Sequence, residues 1–378
     1  VPINLTELEQ HELYLSRLAS GGINAHVYPS LEATYKAIRR LLQDEEVITT
    51  QAQLNKIVAA VSKAIDDNGG WVTLTDDSLK SLAVYEASWQ AQFIGAALAT
   101  AIKSPAEKKI LSYVNKALMS LESGQRVNSG TWEQFYRANL DSRKRAINSI
   151  IRTGYSRGET INQMSQKIRT NFNGVLKREA ETLARTGYIH YASAANTAMV
   201  NDNLDILNEW FYVVVFDSRT SEQCQAISTK NTVDNRYKTT DPQAPNPPLH
   251  FNCRTRRIGV QKGAELTGTR AVMSAKESGE EAFNKRDAAR RKASQVRYRG
   301  RKDNNIFKPE QINANTTYDA WLRSQPDYYI KDTLGATKYK LFKEGGLSMK
   351  SFADLAGRPL TLDEIIKRHP VVADRVLG

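Results

Sequence analysis

The chain has 378 residues, 40% of them apolar and 25% charged, ordinary globular usage that excludes wholesale disorder. Lysine and arginine total 53 against 41 acids, and the net charge of +12 favours anionic partners such as nucleic acid without bearing on fold. Two cysteines exclude a disulfide scaffold, and no Walker A, G-x-G-x-x-G, H-E-x-x-H or G-x-S-x-G pattern is present.

The length predicts two or three compact units. In the first of them, Leu5, Leu8, His11, Leu15 and Leu18 recur at helical spacing, as do Leu31, Tyr35, Ile38, Leu41 and Leu42. Similar stripes run through Gln53–Ile65 and Ser78–Ile102, with a turn at Asn68-Gly69-Gly70 between them. Pro105 suits a first helical turn, so Ser104 is expected to cap a helix reaching about Leu121. Further helices are expected over Trp132–Thr153, ended by Gly154, then from Gly158-Glu159-Thr160-Ile161 to about Arg169, and over Leu176–Asn201. The small Ala180, Ala184, Ala192, Ala194 and Ala195 of the last would let neighbouring helices come close. The apolar runs Ile94–Ile102 and Phe211–Phe216 fall short of the ~20 residues of a membrane helix. The first residues lack a signal-peptide layout, so a soluble protein made in a cytoplasm is expected.

The character changes at Trp210. Trp210–Phe216 is β-branched and aromatic and reads as a buried strand, with Arg257–Val260 as a returning strand. The loop between them holds four of the chain's eleven prolines. After about Gly263 the composition becomes basic: Lys285–Lys302 carries nine cations and one acid. The fold class is therefore mainly α, with an elongated helical N-terminal body (1–153) and a small central α+β module (154–262). A basic helix or linker (263–303) and a small, mostly helical C-terminal domain (304–378) follow as a basic extension.

The sharpest constellation lies in the central module. Both thiols fall there, and Cys224, His250 and Cys253 have ligand types that suit zinc, with Asp217 and His190 as candidates for a fourth ligand. Two half-buried thiols with His250 bonded to loop backbone are the alternative, and a disulfide requires the loop to fold back. Asp217, Arg219 and Thr220 read either as catalytic or phosphate-binding groups or as a strand-to-loop turn in which Arg219 pairs with an acid. Arg185 and Thr186 would tie their helix to the module.

Ala184-Arg185-Thr186 on a helix, Trp210 leading a strand, Asp217-x-Arg219-Thr220-x-x-x-Cys224 and Pro247-Pro248-x-His250-x-Asn252-Cys253-Arg254 occur in that order. Together they resemble the phage Mu F-like head morphogenesis family, minor head (minor capsid) proteins of tailed bacteriophages. The likeness spans about Gly154–Val260. It departs where the family often has C-R-C, since Thr255 follows Arg254 here. Segments of the tail, Trp321-Leu322 to Gly335 and Phe342 to Glu364, resemble the C-terminal extension of some such head proteins. The resemblance implies a virion component present in few copies at the portal vertex, assembled in the host bacterial cytoplasm and assisting head assembly, DNA packaging or DNA delivery. Its implied partners are the portal protein and other head or connector proteins, with packaged double-stranded DNA as a further one and no membrane while in the head.

Lys285, Arg286, Arg290, Arg291, Lys292, Arg297, Arg299, Arg301 and Lys302 are the candidates for contact with DNA or an acidic protein surface. Tyr298 alone is available there for stacking, which does not suggest sequence-specific reading. A structural protein with no catalytic residue is the expectation. The competing class is an enzyme, a nuclease or a nucleotide-using, ADP-ribosyltransferase-like toxin activity carried by the same head protein.

Overall fold

A computed structural model describes residues 2–44, 48, 50–69, 71–123, 126–284 and 306–378. The basic run at 285–302 therefore lies outside the described residues. The chain is mostly helical, with long helices in its first half and small sheets in the centre. A short strand β1 (Ile3–Asn4) leads into α1 (Leu5–Gly22), and five π-helical residues join α1 to α2 (Tyr28–Gln43). Helices α3 (Gln51–Asp67), α4 (Trp71–Leu98) and α5 (Glu107–Lys116) follow. Thr50 starts α3 with a reciprocal capping box to Gln53, satisfying amide groups that would otherwise lack acceptors.

The expected helix from Ser104 to Leu121 is corrected at both ends. Asn203 takes both the N–H and the carbonyl of Lys103, each at 2.8 Å, so that segment stays out of the helix and α5 begins at Glu107. At the other end, Met119 and Leu121 are buried while Ser120 is exposed, a period of two. They form β2 (Met119–Ser123), a hairpin with β3 (Arg126–Gly130).

Helix α6 (Trp132–Ser156) runs through the glycine expected to stop it. Gly154 instead gives room to Met164 of α7 (Ile161–Asn171), whose side chain a β-carbon there would meet at 2.5 Å. The turn uses Gly158, at φ 65°. A second π-helical step connects α7 to α8 (Lys177–Asn201), the axis of the molecule. Its small residues admit α4, and Trp132 lies directly on Gly187.

The expected central strands are observed as β4 (Glu209–Val213) and β5 (Arg256–Val260), antiparallel, with Trp210 opposite Gly259 and Tyr212 opposite Arg257. Between them sits α9 (Glu222–Ser228). Three strands arise in the extension expected to be linker or mostly helical: β7 (Thr269–Ala275), preceded by β6 (Leu266–Thr267), pairs antiparallel with β8 (Phe307–Asn313). Polar residues on the buried face of β7 hid its alternation. Arg270, 2% exposed, lies 4.2 Å from the Phe216 ring centroid and donates to the Val214 carbonyl at 2.9 Å.

The chain start closes on this region. Ile3 pairs in parallel with Leu266, and Glu9 accepts from the Ala271 N–H at 2.6 Å. Helices α10 (Tyr318–Arg323), α11 (Asp327–Leu334), α12 (Ala336–Tyr339), α13 (Leu362–Arg368) and α14 (Pro370–Leu377) form the tail. Tyr318 and Trp321 pack on Phe216, and Tyr329 donates to the Met273 carbonyl at 3.0 Å, so the tail is seated on the central module. Among the described residues, no helix is long and apolar enough to cross a membrane.

Candidate functional site

The site is the pair of turns that follow β4 and precede β5. Strand β4 anchors it. Trp210 is 1% exposed and the Arg257 guanidinium stacks 3.9 Å from its ring centroid. Beyond the strand the chain turns on Asp217, whose Oδ1 accepts from the Arg219 N–H at 2.9 Å. The Thr220 hydroxyl donates to the Val215 carbonyl at 2.5 Å and lies 3.2 Å from the same carboxylate oxygen. This is the turn reading of these residues, in which Arg219 reaches the acid only loosely. The Arg219 side chain is 82% exposed and 3.5 Å from Asp217, whereas Arg254 donates both arms to the carboxylate, at 2.6 and 2.7 Å.

Burial alone would raise the Asp217 carboxyl. The hydrogen bonds and charge of Arg254 outweigh it and hold the group below its ordinary value. Asp217 is thus a carboxylate that ties the turn after β4 to the residue two places before β5. Replacing it by asparagine should cost about 1.5–3 kcal/mol at neutral pH, the range for a hydrogen-bonded charge. A folded value below 3.8 means that this advantage is full above pH 3.8 and is lost as pH falls through the folded value. Urea unfolding of wild type and Asp217→Asn at pH 7 and pH 3 checks both statements, the difference shrinking at the lower pH.

The second turn carries Pro248, His250, Asn252 and Cys253. Pro248 is buried and follows Pro247 through a cis peptide. Asn252 adopts φ 58°, a left-handed conformation that asparagine tolerates. Its N–H donates to the Thr186 hydroxyl at 3.1 Å and its side-chain amide to the Thr182 hydroxyl at 3.0 Å. Thr186 therefore ties α8 to the module as expected, but Arg185 does not share that role. It is exposed on α8, and the tie runs through Thr186 and Thr182.

The ligand-type residues converge. Cys224 of α9 and Cys253 are both 3% exposed, with their sulphurs 3.8 Å apart. His250 Nε2 lies 3.2 Å from the Cys224 sulphur and 2.8 Å from the hydroxyl of Ser221, the N-cap of α9. Its Nδ1 lies 2.8 Å from the Phe251 carbonyl. The Cys224 thiol is held well above its usual value by its hydrogen bond to Cys253 and by burial. Burial also opposes a Cys253 thiolate, but the bonds from Cys224 and the surrounding backbone bring that group down to about 7. His250, though burial disfavours its cation, is raised by Cys224.

Neither expected fourth ligand joins this cluster. Asp217 is engaged by Arg254, and His190 is buried on α8 with a hydrogen bond to the Ala117 backbone. Ser221 and Thr182 were missed by sequence reasoning. Ser221 had a legible signal, a helix-capping serine three residues before Cys224.

A family model described as "Phage Mu protein F like protein" matches residues 145–258. No curated protein and no solved structure matches the chain.

Proposed function

Residues 145–258 belong to the Phage Mu protein F like family, one of head morphogenesis proteins, and from that premise we propose a structural minor head protein of a tailed bacteriophage. On this reading the chain sits at or near the portal vertex, contacts the portal protein and neighbouring head or connector proteins, and assists head assembly, DNA packaging or DNA delivery. The observation that carries the structural rather than catalytic role is the inward engagement of the motif. Asp217 and Arg254 pair with each other, and Asn252 binds two threonines of α8. Groups held this way position two turns on a helix. The tail seated over Phe216 adds to the support.

The nine cations of 285–302 supply a contact to packaged DNA, since phosphate binding by lysine and arginine releases counterions and needs no base reading. The test is made on virions. Mass spectrometry of purified particles is expected to detect the chain in few copies, and a reconstruction to place it at one vertex. Particles made without it should be defective in filling or in infection. The purified chain should bind double-stranded DNA with a steep salt dependence that flattens when the nine cations are replaced. Infectious virions lacking the protein would sink the proposal, as would DNA cleavage or ADP-ribose transfer by the purified chain.

A further inference from the structure

We propose that Cys224, His250 and Cys253 bind one zinc ion, which staples α9 to the turn before β5. The ligand atoms of these three residues all lie within 4.8 Å of one another. Two zinc–sulphur bonds of about 2.3 Å at a tetrahedral angle place their sulphurs about 3.8 Å apart, which is the separation found between Cys224 and Cys253. A disulfide would bring those atoms to about 2.05 Å. Two sulphurs and an imidazole are a donor set for zinc rather than for magnesium or calcium, which take oxygen.

The histidine supplies an independent indication. Its Nδ1, 2.8 Å from the Phe251 carbonyl, is placed to donate a proton to that oxygen. That bond selects the tautomer whose Nε2 lone pair faces the Cys224 sulphur. A metal-ligating imidazole is usually oriented in this way, through a backbone carbonyl on its other nitrogen. The Ser221 hydroxyl, 2.8 Å from the same Nε2, is available to hold a water completing the tetrahedron.

Charge balance favours the ion. Binding releases the thiol protons to solvent and forms two sulphur–zinc bonds with no change of oxidation state. The two thiolates then neutralise the dication, so the buried cluster carries no net charge. The gain lies in order: Cys224 and Cys253 are 29 residues apart, and after α9 the chain between them contains only short helical turns among its regular elements. Zinc would fix that segment as metal sites do in small folds.

The placement of the three side chains carries the site, independently of the head-protein reading. The test uses the full chain purified with reductant and without added metal. Elemental analysis is expected to find one zinc per chain after gel filtration. A strong chelator should remove it, lower the thermal midpoint by several degrees, and be reversed by zinc. Cobalt substituted in the wild-type chain should give a thiolate-to-metal charge-transfer band, a readout that needs no variant to fold. Cys224→Ser, Cys253→Ser and His250→Gln should each lose the stoichiometric ion. Overturning results are a chain that neither retains zinc nor takes it up with a shift in midpoint, cobalt binding without the thiolate band, or a native Cys224–Cys253 disulfide in metal-free protein.

Discussion

Replacing Arg256 with methionine is expected to destabilise the protein by about 3–5 kcal/mol, because it strips the partner from a fully buried carboxylate. Arg256 is 1% exposed at the start of β5. Its guanidinium hydrogen-bonds Glu86 of α4, itself wholly buried, and lies 2.9 Å from Glu12 of α1. Glu86 also meets His11 Nε2 at 2.7 Å and accepts from Gln90 at 2.7 Å. The His11 ring in turn stacks on Trp89 at 3.5 Å. Burial opposes charge on Glu86, yet Arg256 and His11 hold its carboxyl below the ordinary value.

One guanidinium thus joins three segments far apart in the chain, and it joins the N-terminal helices to the module that carries the family match. Urea unfolding of Arg256→Met, Glu86→Leu and the double variant measures the coupling. The double variant should cost less than the two single costs together, since neither Glu86 nor Arg256 is left buried opposite a missing partner, although Glu12 and His11 each lose one contact. A cost below about 1 kcal/mol for Arg256→Met would show that the network does not hold these segments together.

What could be read from the sequence followed the range of the interactions involved. Helices α1, α2 and α3 announce themselves because their apolar stripes lie within one segment, where periodicity operates. The strand at Trp210 and its partner before Val260 were legible for the same reason. The cysteine, histidine and aspartate motif was legible as an ordered set of residues, but its pairing was not. Nothing local states that Asp217 takes Arg254 in preference to Arg219, since Arg219 is two residues away and Arg254 is 37. The Arg256–Glu86–Glu12 network was invisible because each member reads as an ordinary surface charge in its own segment. The antiparallel pair β7–β8 was missed because a buried arginine and a buried serine occupy the inner face of β7, and its partner strand lies beyond the basic run. Hairpin β2–β3 was missed because the expected helix was carried on to about Leu121, across the two-residue alternation of buried Met119, exposed Ser120 and buried Leu121.

Acid should weaken the protein through His190, and the effect should vanish in His190→Phe. The ring is 1% exposed on α8 and is held by the backbone of Ala117, while Nε2 has no hydrogen-bond partner among the described residues. Protonation would create a buried cation with no acceptor on that nitrogen, and burial lowers the group from 6.5 to about 4. As pH falls from 6.5 towards 4, the unfolded chain takes up this proton and the folded chain does not. Stability contributed by the neutral ring is therefore complete above pH 6.5 and declines until about pH 4. A gap of that size corresponds to about 3 kcal/mol.

Other groups titrate in the same window with the opposite sign. Burial raises Glu12 to about 7 despite Arg256, so the folded chain binds that proton first and gains in acid. The raised His250 acts likewise. The readout is accordingly the difference between wild type and variant, in which terms common to both cancel. The stability of His190→Phe relative to wild type should rise by about 3 kcal/mol between pH 7 and pH 4. A difference that stays constant with pH would mean that His190 accepts its proton in the folded state, and that the helix carrying Thr182 and Thr186 opens to water there.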